Sequence, residues 1–579
     1  MSDYNYDLGL YNRAVTTSSP EAQLWFDRGL LWAYSFNHEE AIRCFEKALD
    51  SDPGCALAYW GIAFAKGPNY NKAWRLFDRV DLEESIPYIR SVIRSAHNAA
   101  ADATPVERAL IEALTARFPV DGVPSDPAEY RKLDLAYADA MRPVYHAHPH
   151  DLDVAALFAD ALLCVRPRGL WDLDSGEPTS PGTDEARGVL EAAMAQPGGD
   201  GHPALAHLYI HLMEMSPYPE IAIPAADRLR TLVPDGSHMS HMVTHIDAAC
   251  GDWRRVIDTS QDAVAADEKF FGRESRVLWY RMYRAHNLHN LAYAGMISGR
   301  YEVALSAAQR LEEIITPELL QVTTPPLADI GEHFRTILPH VLIRFGRWQE
   351  ILELELPGDQ ELFCSTTAMI LYAQSIANAV LGRIPEAEKA RDRFLEVSVS
   401  VPESRLNTVP VKEIDLLKVA AAVLDGELEY RKGNFNHAFT SLRRAIELED
   451  ALPYADPPAW LMPARHAYGA LLLEQGRYEE AETVYRDDLG LAGTLARRRV
   501  RPNNVWSLQG LYECLTVLGK DDEAKKIVLQ RDIALAAADI DVSVSCFCRL
   551  SPASQQGEPG CCSTDGPQDI QTDAQQSCC

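Results

Sequence analysis

Four histidines set out as two equal pairs are the residues in this chain most able to do chemistry. His207 and His211 lie four apart, as do His241 and His245, and the second pair follows the first by 34 residues. On a helix, residues four apart share a face, so each pair points two imidazoles the same way. A fixed offset means that the unit carrying the pairs is repeated, so all four aim at one place. Imidazoles grouped in this way are transition-metal ligands, and the i, i+4 spacing is that of helical zinc sites. Glu214, three residues beyond His211, adds a carboxylate to the stripe, as a further ligand or as a general base.

Such ligands need rigid elements, and the sequence supplies helices. Trp25, Gly29, Trp32, Ala41, Phe45, Ala48 and Pro53 fall at the spacing of two close-packed helices. The small residues allow close approach, the aromatics fill the gap, and the proline stops the second helix. This segment resembles the tetratricopeptide repeat family at those seven positions, with Trp32 where tyrosine is usual. Degenerate copies of the second-helix signal follow, including Gly299–Ala304, Gly346–Trp348, Gly433–Ala438 and Gly476–Ala481. No strand alternation is evident. The fold expected is therefore an all-α, tetratricopeptide-like helical-repeat solenoid. The boundaries expected are an N-terminal extension over 1–20, a repeat domain over 21–535 with its His-rich core at 202–290, and a disordered Cys-rich tail over 536–579.

Within that frame each repeat can be numbered so that Ala222, Val256 and Ala304 occupy position 20. Position 5 is then His207, His241 and His289, position 9 is His211, His245 and Tyr293, and position 2 is Ala204, His238 and His286. Positions 2, 5, 9 and 12 span about 80° of helix surface. The family resemblance implies that this stripe lines the concave groove, the usual ligand surface. Neighbouring helices about 8–10 Å apart let imidazoles from two repeats reach one ion. His207, His211, His241, His245 and His289 are the expected ligands. His238 and His286 would complete a second site or support the first from behind.

The segment is also similar to a group of bacterial and fungal tetratricopeptide proteins of unassigned reaction. They carry strings like Gly-Pro-Asn-Tyr-Asn at 67–71, Leu-Trp-Asp at 170–172, and the three His motifs. This chain has Met-Val-Thr before His245 where that group suggests Met-Pro-Ser, which should alter the start of the helix. Asn69 and Asn71 are possible groove residues, with a capping turn as the plainer reading. Trp171 and Asp172, in a long Pro/Gly-rich loop, could cover the site. His333, His340 and His466 read as structural, and Glu332 and Asp247 as ordinary polar residues.

The chain has 579 residues, 47% hydrophobic and 24% charged, with a net charge of −29. That charge argues against nucleic acid or an anionic membrane surface. With no signal-like start and no membrane-length apolar run, a cytoplasmic protein is expected. Six cysteines, Cys546, Cys548, Cys561, Cys562, Cys578 and Cys579, crowd the C-terminus, where flexible thiolates would suit a soft metal or thiol exchange. No P-loop, dinucleotide fingerprint or serine nucleophile elbow is present. The reading reached is a metal-dependent, redox enzyme acting on a small molecule, with copper favoured and zinc, iron or manganese as other ions. The alternatives are a scaffold holding a partner peptide and a zinc or di-metal hydrolase.

Overall fold

The computed structural model describes residues 4–120, 122–274 and 278–549. Among these the chain is helical throughout, and extended pairing is limited to isolated bridges such as Trp171 with Pro178. Successive helices pack pairwise along the sequence, as the repeat pattern requires. None is long and apolar enough to cross a membrane.

The first repeat shows why the spacing matters. Helices Pro20–Tyr34 and His38–Ser51 meet at the Phe45 ring, which fills the notches left by Gly29 and Gly61. A Cβ on Gly29 would lie 2.7 Å from that ring, and one on Gly61 would lie 2.6 Å from it. Tyr485 does the same against Gly469 and Gly510, where an added Cβ would sit 2.6 Å and 2.4 Å away. The packing device seen at residue 45 thus recurs some four hundred residues later.

The helices that carry the histidines are Pro203–Met213, Ser237–Cys250 and Tyr280–Ser298. Every residue of the first is buried, and so is every residue of the second up to Ala249. A helix apolar and polar by turns yet buried all round cannot face an open groove. This corrects the expectation of an exposed concave surface. The cover comes from far along the chain. Trp253 Nε1 donates to the Pro502 carbonyl (2.9 Å) and Trp506 Nε1 to the Met296 carbonyl (2.7 Å). Gly251, with φ 78°, leaves room for Pro502, whose carbonyl oxygen would be 2.6 Å from any Cβ there. A left-handed glycine with no side chain is what lets the later loop seat here.

A buried polar network holds this cover. Arg501 pairs with Glu449 (2.6 Å) and Asp488 (3.0 Å). Asp488 also accepts from Ser507 Oγ (2.6 Å) and Asn504 Nδ2 (2.9 Å) and meets His466 Nε2 at 2.9 Å. Burial is the main reason that the His466 ring is pushed down to about 4. His466 is therefore structural, as its position suggested.

The N-terminal extension ends where expected, the first helix beginning at Pro20, while the C-terminal boundary departs from expectation. The N-terminal stretch is a strap bonded to three distant parts of the fold. Tyr4 OH accepts from Trp32 Nε1 (2.6 Å), Arg13 pairs with Asp151 (2.8 Å) and Asp153 (2.7 Å), and the Asp235 N–H donates to the Asp7 carbonyl (2.9 Å). At the other end, residues 538–549 pack on the repeats and do not form a free tail. Asp539 accepts from the Tyr301 N–H (2.6 Å), Val542 is buried, and the Ser545 and Tyr485 hydroxyls meet at 2.5 Å. Phe547 sits over Gly346 and beside Trp506. Apolar residues at 542 and 547 between polar ones are the physical reason: each has a notch to fill. Cys546 and Cys548 are joined to each other, so they are not the free thiolates expected there. Cys561, Cys562, Cys578 and Cys579 lie outside the described residues.

Two outcomes follow from this packing. Gly29→Val should destabilise the chain by about 1–3 kcal/mol through overpacking against Phe45, read as a lowered denaturant midpoint; an unchanged midpoint would contradict the close approach. Ending the chain after residue 549 should leave thermal stability alone, whereas ending it after residue 537 should lower Tm by about 3 °C or more. Equal Tm values for the two truncations would show that the 538–549 contacts contribute nothing.

Candidate metal centre

Three helices in register bring the histidines together, and they do so by one rule used twice. His207 and His211, at positions 5 and 9 of one repeat, meet His238 at position 2 of the next. His241 and His245, at positions 5 and 9, meet His286 at position 2 of the repeat after that. In each triad the three potential ligand atoms lie within 4.8 Å of one another. His207 Nε2 is 3.2 Å from His238 Nε2, and His241 Nε2 is 2.8 Å from His245 Nε2. Two nitrogens bound to one ion at about 2.0–2.1 Å would be about 2.8–3.4 Å apart for right-angled to tetrahedral geometry. The observed separations sit at that edge length, so the donor set fits a shared ion.

The outward nitrogens are held as metal ligands need them held. His207 Nδ1 lies 2.8 Å from the Tyr34 carbonyl, so it carries the proton and leaves Nε2 with a lone pair. The Glu214 carboxylate takes His211 Nδ1 on one oxygen (3.3 Å) and His245 Nδ1 on the other. One carboxylate thereby orients an imidazole in each triad, which is the usual support for a metal-bound histidine. Expected as a further ligand or a general base, Glu214 stands behind the ligands with an imidazole on each oxygen, and it also groups with His245 and Asp456 as a third set able to hold an ion. Burial would raise its carboxyl, but the facing His245 and His211 rings outweigh that and hold it well below the usual range. Asp456, 3.7 Å from His245 Nδ1 and paired with Arg498, backs the same imidazole.

Burial drives the His207, His238, His241 and His286 rings well below their ordinary pKa, and lowers His211 and His245 too. Neutral rings keep the lone pairs that metal binding uses. Buried His211 Nε2 and His238 Nδ1 have no protein partner, a costly state that a bound ion would relieve for the ligand atom.

The surroundings hold the rings in place. Phe36 stacks on His211 and His238, with centroids 5.8 Å and 5.1 Å away, and leans on His207 at 4.6 Å. Its backbone is left-handed, φ 56°, an unusual state for an aromatic residue and one that gathers at functional sites. Asn290 Nδ2 donates to Thr244 Oγ1 (2.7 Å), and Ser237 Oγ meets Tyr280 OH at 2.7 Å. These bridges lock the helix of His241 to that of His286. Thr244, within the unexpected Met-Val-Thr string, lies mid-helix and serves this bridge, so the substitution does not touch the start of the helix.

His289 does not join a triad. Its ring nitrogens are buried without partners, and its nearest imidazole outside its own helix is His333, at a centroid distance of 5.9 Å. The reason is register: on this helix position 2, not position 5, reaches back to the previous repeat. Asn71 reaches the site, with Nδ2 3.4 Å from His238 Nε2. Asn69 closes the turn instead, its Oδ1 accepting from the N–H groups of Asn71 (2.9 Å) and Lys72 (2.8 Å). Trp171 pins its loop to the Leu212 carbonyl (2.7 Å), while exposed Asp172 caps a turn at Ser175 and is not part of the site. His340 packs on Trp460, Asp247 pairs with Arg230, and Glu332 accepts from Thr366. Sequence reasoning missed Phe36, Asp456 and Tyr70, whose ring lies 4.4 Å from that of His211. A non-glycine in left-handed backbone leaves no sequence signal, and Asp456 lies more than 200 residues from its partner His245.

Among known proteins, the tetratricopeptide repeat family matches residues 22–55. Comparison with curated proteins gives no match. Solved structures that align include a human IFIT1 dimer with m7Gppp-AAAA, 11% identical over 84% of this chain and 90% of that chain, TM-score 0.32. Yeast Tom70 aligns at 13% identity over 88% and 98% of the two chains, TM-score 0.25. Naa15/Naa10 bound to HypK-THB aligns at 11% identity over 89% and 70%, TM-score 0.20. Residues 22–55 are a tetratricopeptide repeat, and the described chain around them is an all-α helical-repeat scaffold.

Proposed function

We propose that this scaffold is a metal-dependent enzyme that holds two transition-metal ions, one in each histidine triad, and carries out redox chemistry on a small molecule. The observation that carries the reading is the repetition: the same three positions supply an all-imidazole set in two successive repeats, with one carboxylate tying the sets together. All-nitrogen ligation suits copper, zinc or iron, and copper(II) is bound most tightly by such a site. Copper is therefore the favoured ion, and it would supply one-electron redox chemistry. Cys546 and Cys548 no longer argue for it, being joined to each other.

The residues of the chain supply the rest. Tyr34 and Glu214 fix which imidazole nitrogens carry protons, Phe36 excludes water from the first triad, and the cover from residues 454–460 and 498–504 encloses the second. A zinc or di-metal hydrolase would need a general base facing its substrate, and Glu214 is buried with an imidazole on each oxygen. A scaffold gripping a peptide along the His stripe would need that stripe open, and five of the six triad imidazoles are buried. The net charge of −29 is the reason for proposing no nucleic-acid partner.

Protein purified without chelator should carry up to about two transition-metal ions per chain, one for each tetrahedral-type histidine set. His211→Ala should remove one, His245→Ala the other, and the double variant both. Elemental analysis finding no bound ion after loading with copper, zinc, iron and manganese would end the proposal. Glu214→Gln should keep the helical circular dichroism spectrum but weaken metal binding by about 10–100-fold, because two ligand rings lose their anchor. Undiminished affinity in that variant would remove Glu214 from the centre.

A further inference from the structure

A cleft with a cavity volume of about 90 Å³ leads to the second triad. Its lining includes His286, the one half-buried ligand of the two triads, together with Asn71, Arg168, Trp279, Tyr283 and Phe334. Anything in the cleft therefore lies against a triad imidazole. Aromatic walls with a few polar groups among them are the lining of a small-molecule site, and the small volume limits it to a compact ligand.

Arg168 gives the cleft its chemical character. It belongs to the loop after residue 165, with left-handed backbone at φ 59°, and its N–H donates to Tyr70 OH (3.1 Å). Arginine in that conformation is strained, and the Tyr70 bond holds it there. Its Nη2 donates to Asn71 Oδ1 (3.1 Å), and Asn71 in turn reaches His238 of the first triad. Among the described residues no carboxylate lies within ion-pair distance of this guanidinium. In a chain with 84 acidic and 55 basic residues, a half-buried guanidinium in a cleft wall with no acid beside it is open to an external anion. One donor on Asn71 fixes the plane of the Arg168 fork and leaves the rest for a bidentate acceptor.

We propose that this cleft binds a small carboxylate with an apolar body, the carboxylate on Arg168 and the body between Trp279, Tyr283 and Phe334, so that its far end meets His286. As the substrate site of the metal centre it rests on the reading above; as a binding site it stands without the metal.

The test uses full-length protein, metal-free and copper-loaded, with 4-phenylbutyrate, the neutral 4-phenylbutanol and inorganic phosphate as probes, followed by calorimetry and ligand-observed NMR. Phenylbutyrate should bind in both forms, with the alcohol and phosphate about tenfold or more weaker, since a charge-assisted fork and an apolar wall are both needed. Arg168→Gln should abolish the preference for the acid over the alcohol while leaving metal content and helicity unchanged, and Arg168→Lys should restore part of it. Equal binding of acid and alcohol, phosphate binding best, no probe binding at millimolar concentration, or a preference that survives Arg168→Gln would each overturn the proposal. Carboxylate binding by protein that takes up no metal would leave this site standing and remove the metal centre alone.

Discussion

One carboxylate governs the arrangement of this protein's interior. Glu214 sits fully buried at the end of the helix Pro203–Met213 and binds an imidazole N–H from its own repeat and one from the next. A carboxylate taken out of water without partners is very costly, and a pair of imidazole donors is what makes the position tenable. The same contacts decide which nitrogens of His211 and His245 face inward. Remove the carboxylate and two neighbouring repeats lose both their polar tie and the common orientation of their rings. The rest of the site is built around this constraint: Tyr34 performs the same service for His207 through a backbone carbonyl, and Asp456 reinforces it for His245.

Burial on this scale is unusual for the inner face of a helical repeat, and it is the return of the chain that achieves it. A solenoid contacts only its neighbours along the sequence. Here the loops at 454–460 and 498–504 come back against the His-bearing repeats, anchored through Arg501, Glu449 and Asp488. Each charged group in that network meets an opposite charge or a hydrogen-bond donor, although Arg501 Nε is left without a partner, and such pairing is the condition for a buried ionic cluster to specify a contact. The consequence is chemical. In a water-excluded space the imidazoles stay neutral, and charges such as Arg168 are felt at longer range than at a surface.

Much of this was legible in the sequence because helical repeats translate position directly into direction. The 34-residue offset and the i, i+4 pairs placed His207, His211, His241 and His245 on one face, and the structure puts them there. The close-packing glycines and aromatics of the first repeat were equally plain. What escaped was whatever depends on the superhelix as a whole. That position 2 of one repeat docks against positions 5 and 9 of the previous one is a property of inter-repeat rotation, so His238 and His286 were ranked below His289 when they outrank it. Arg168 and Phe36 depend on left-handed backbone at non-glycine residues, which composition does not announce. The packed segment 538–549 does carry a short alternation, Ile540, Val542 and Val544, but its Ser, Asp and Cys content masks the apolar residues that pack on the repeats, Ala538, Ile540, Val542 and Phe547.

The third repeat shows how the ladder ends. By the same rule its set would be His289, residue 293 and His333, which lies 18 residues before Ile351 and so takes position 2 of the next repeat, and two of the three are histidines with ring centroids 5.9 Å apart. Position 9 is Tyr293, and its hydroxyl is turned to Arg501 of the closing network. A histidine there would have to choose between an ion on one side and a guanidinium on the other, and protonated it would repel the latter. Tyrosine, neutral at ordinary pH and able to accept from a guanidinium, resolves the conflict in favour of closure. The step from His211 and His245 to Tyr293 thus marks where one repeated position changes from presenting a ligand to holding the lid of the chamber, and it explains why two triads are complete and the third is not.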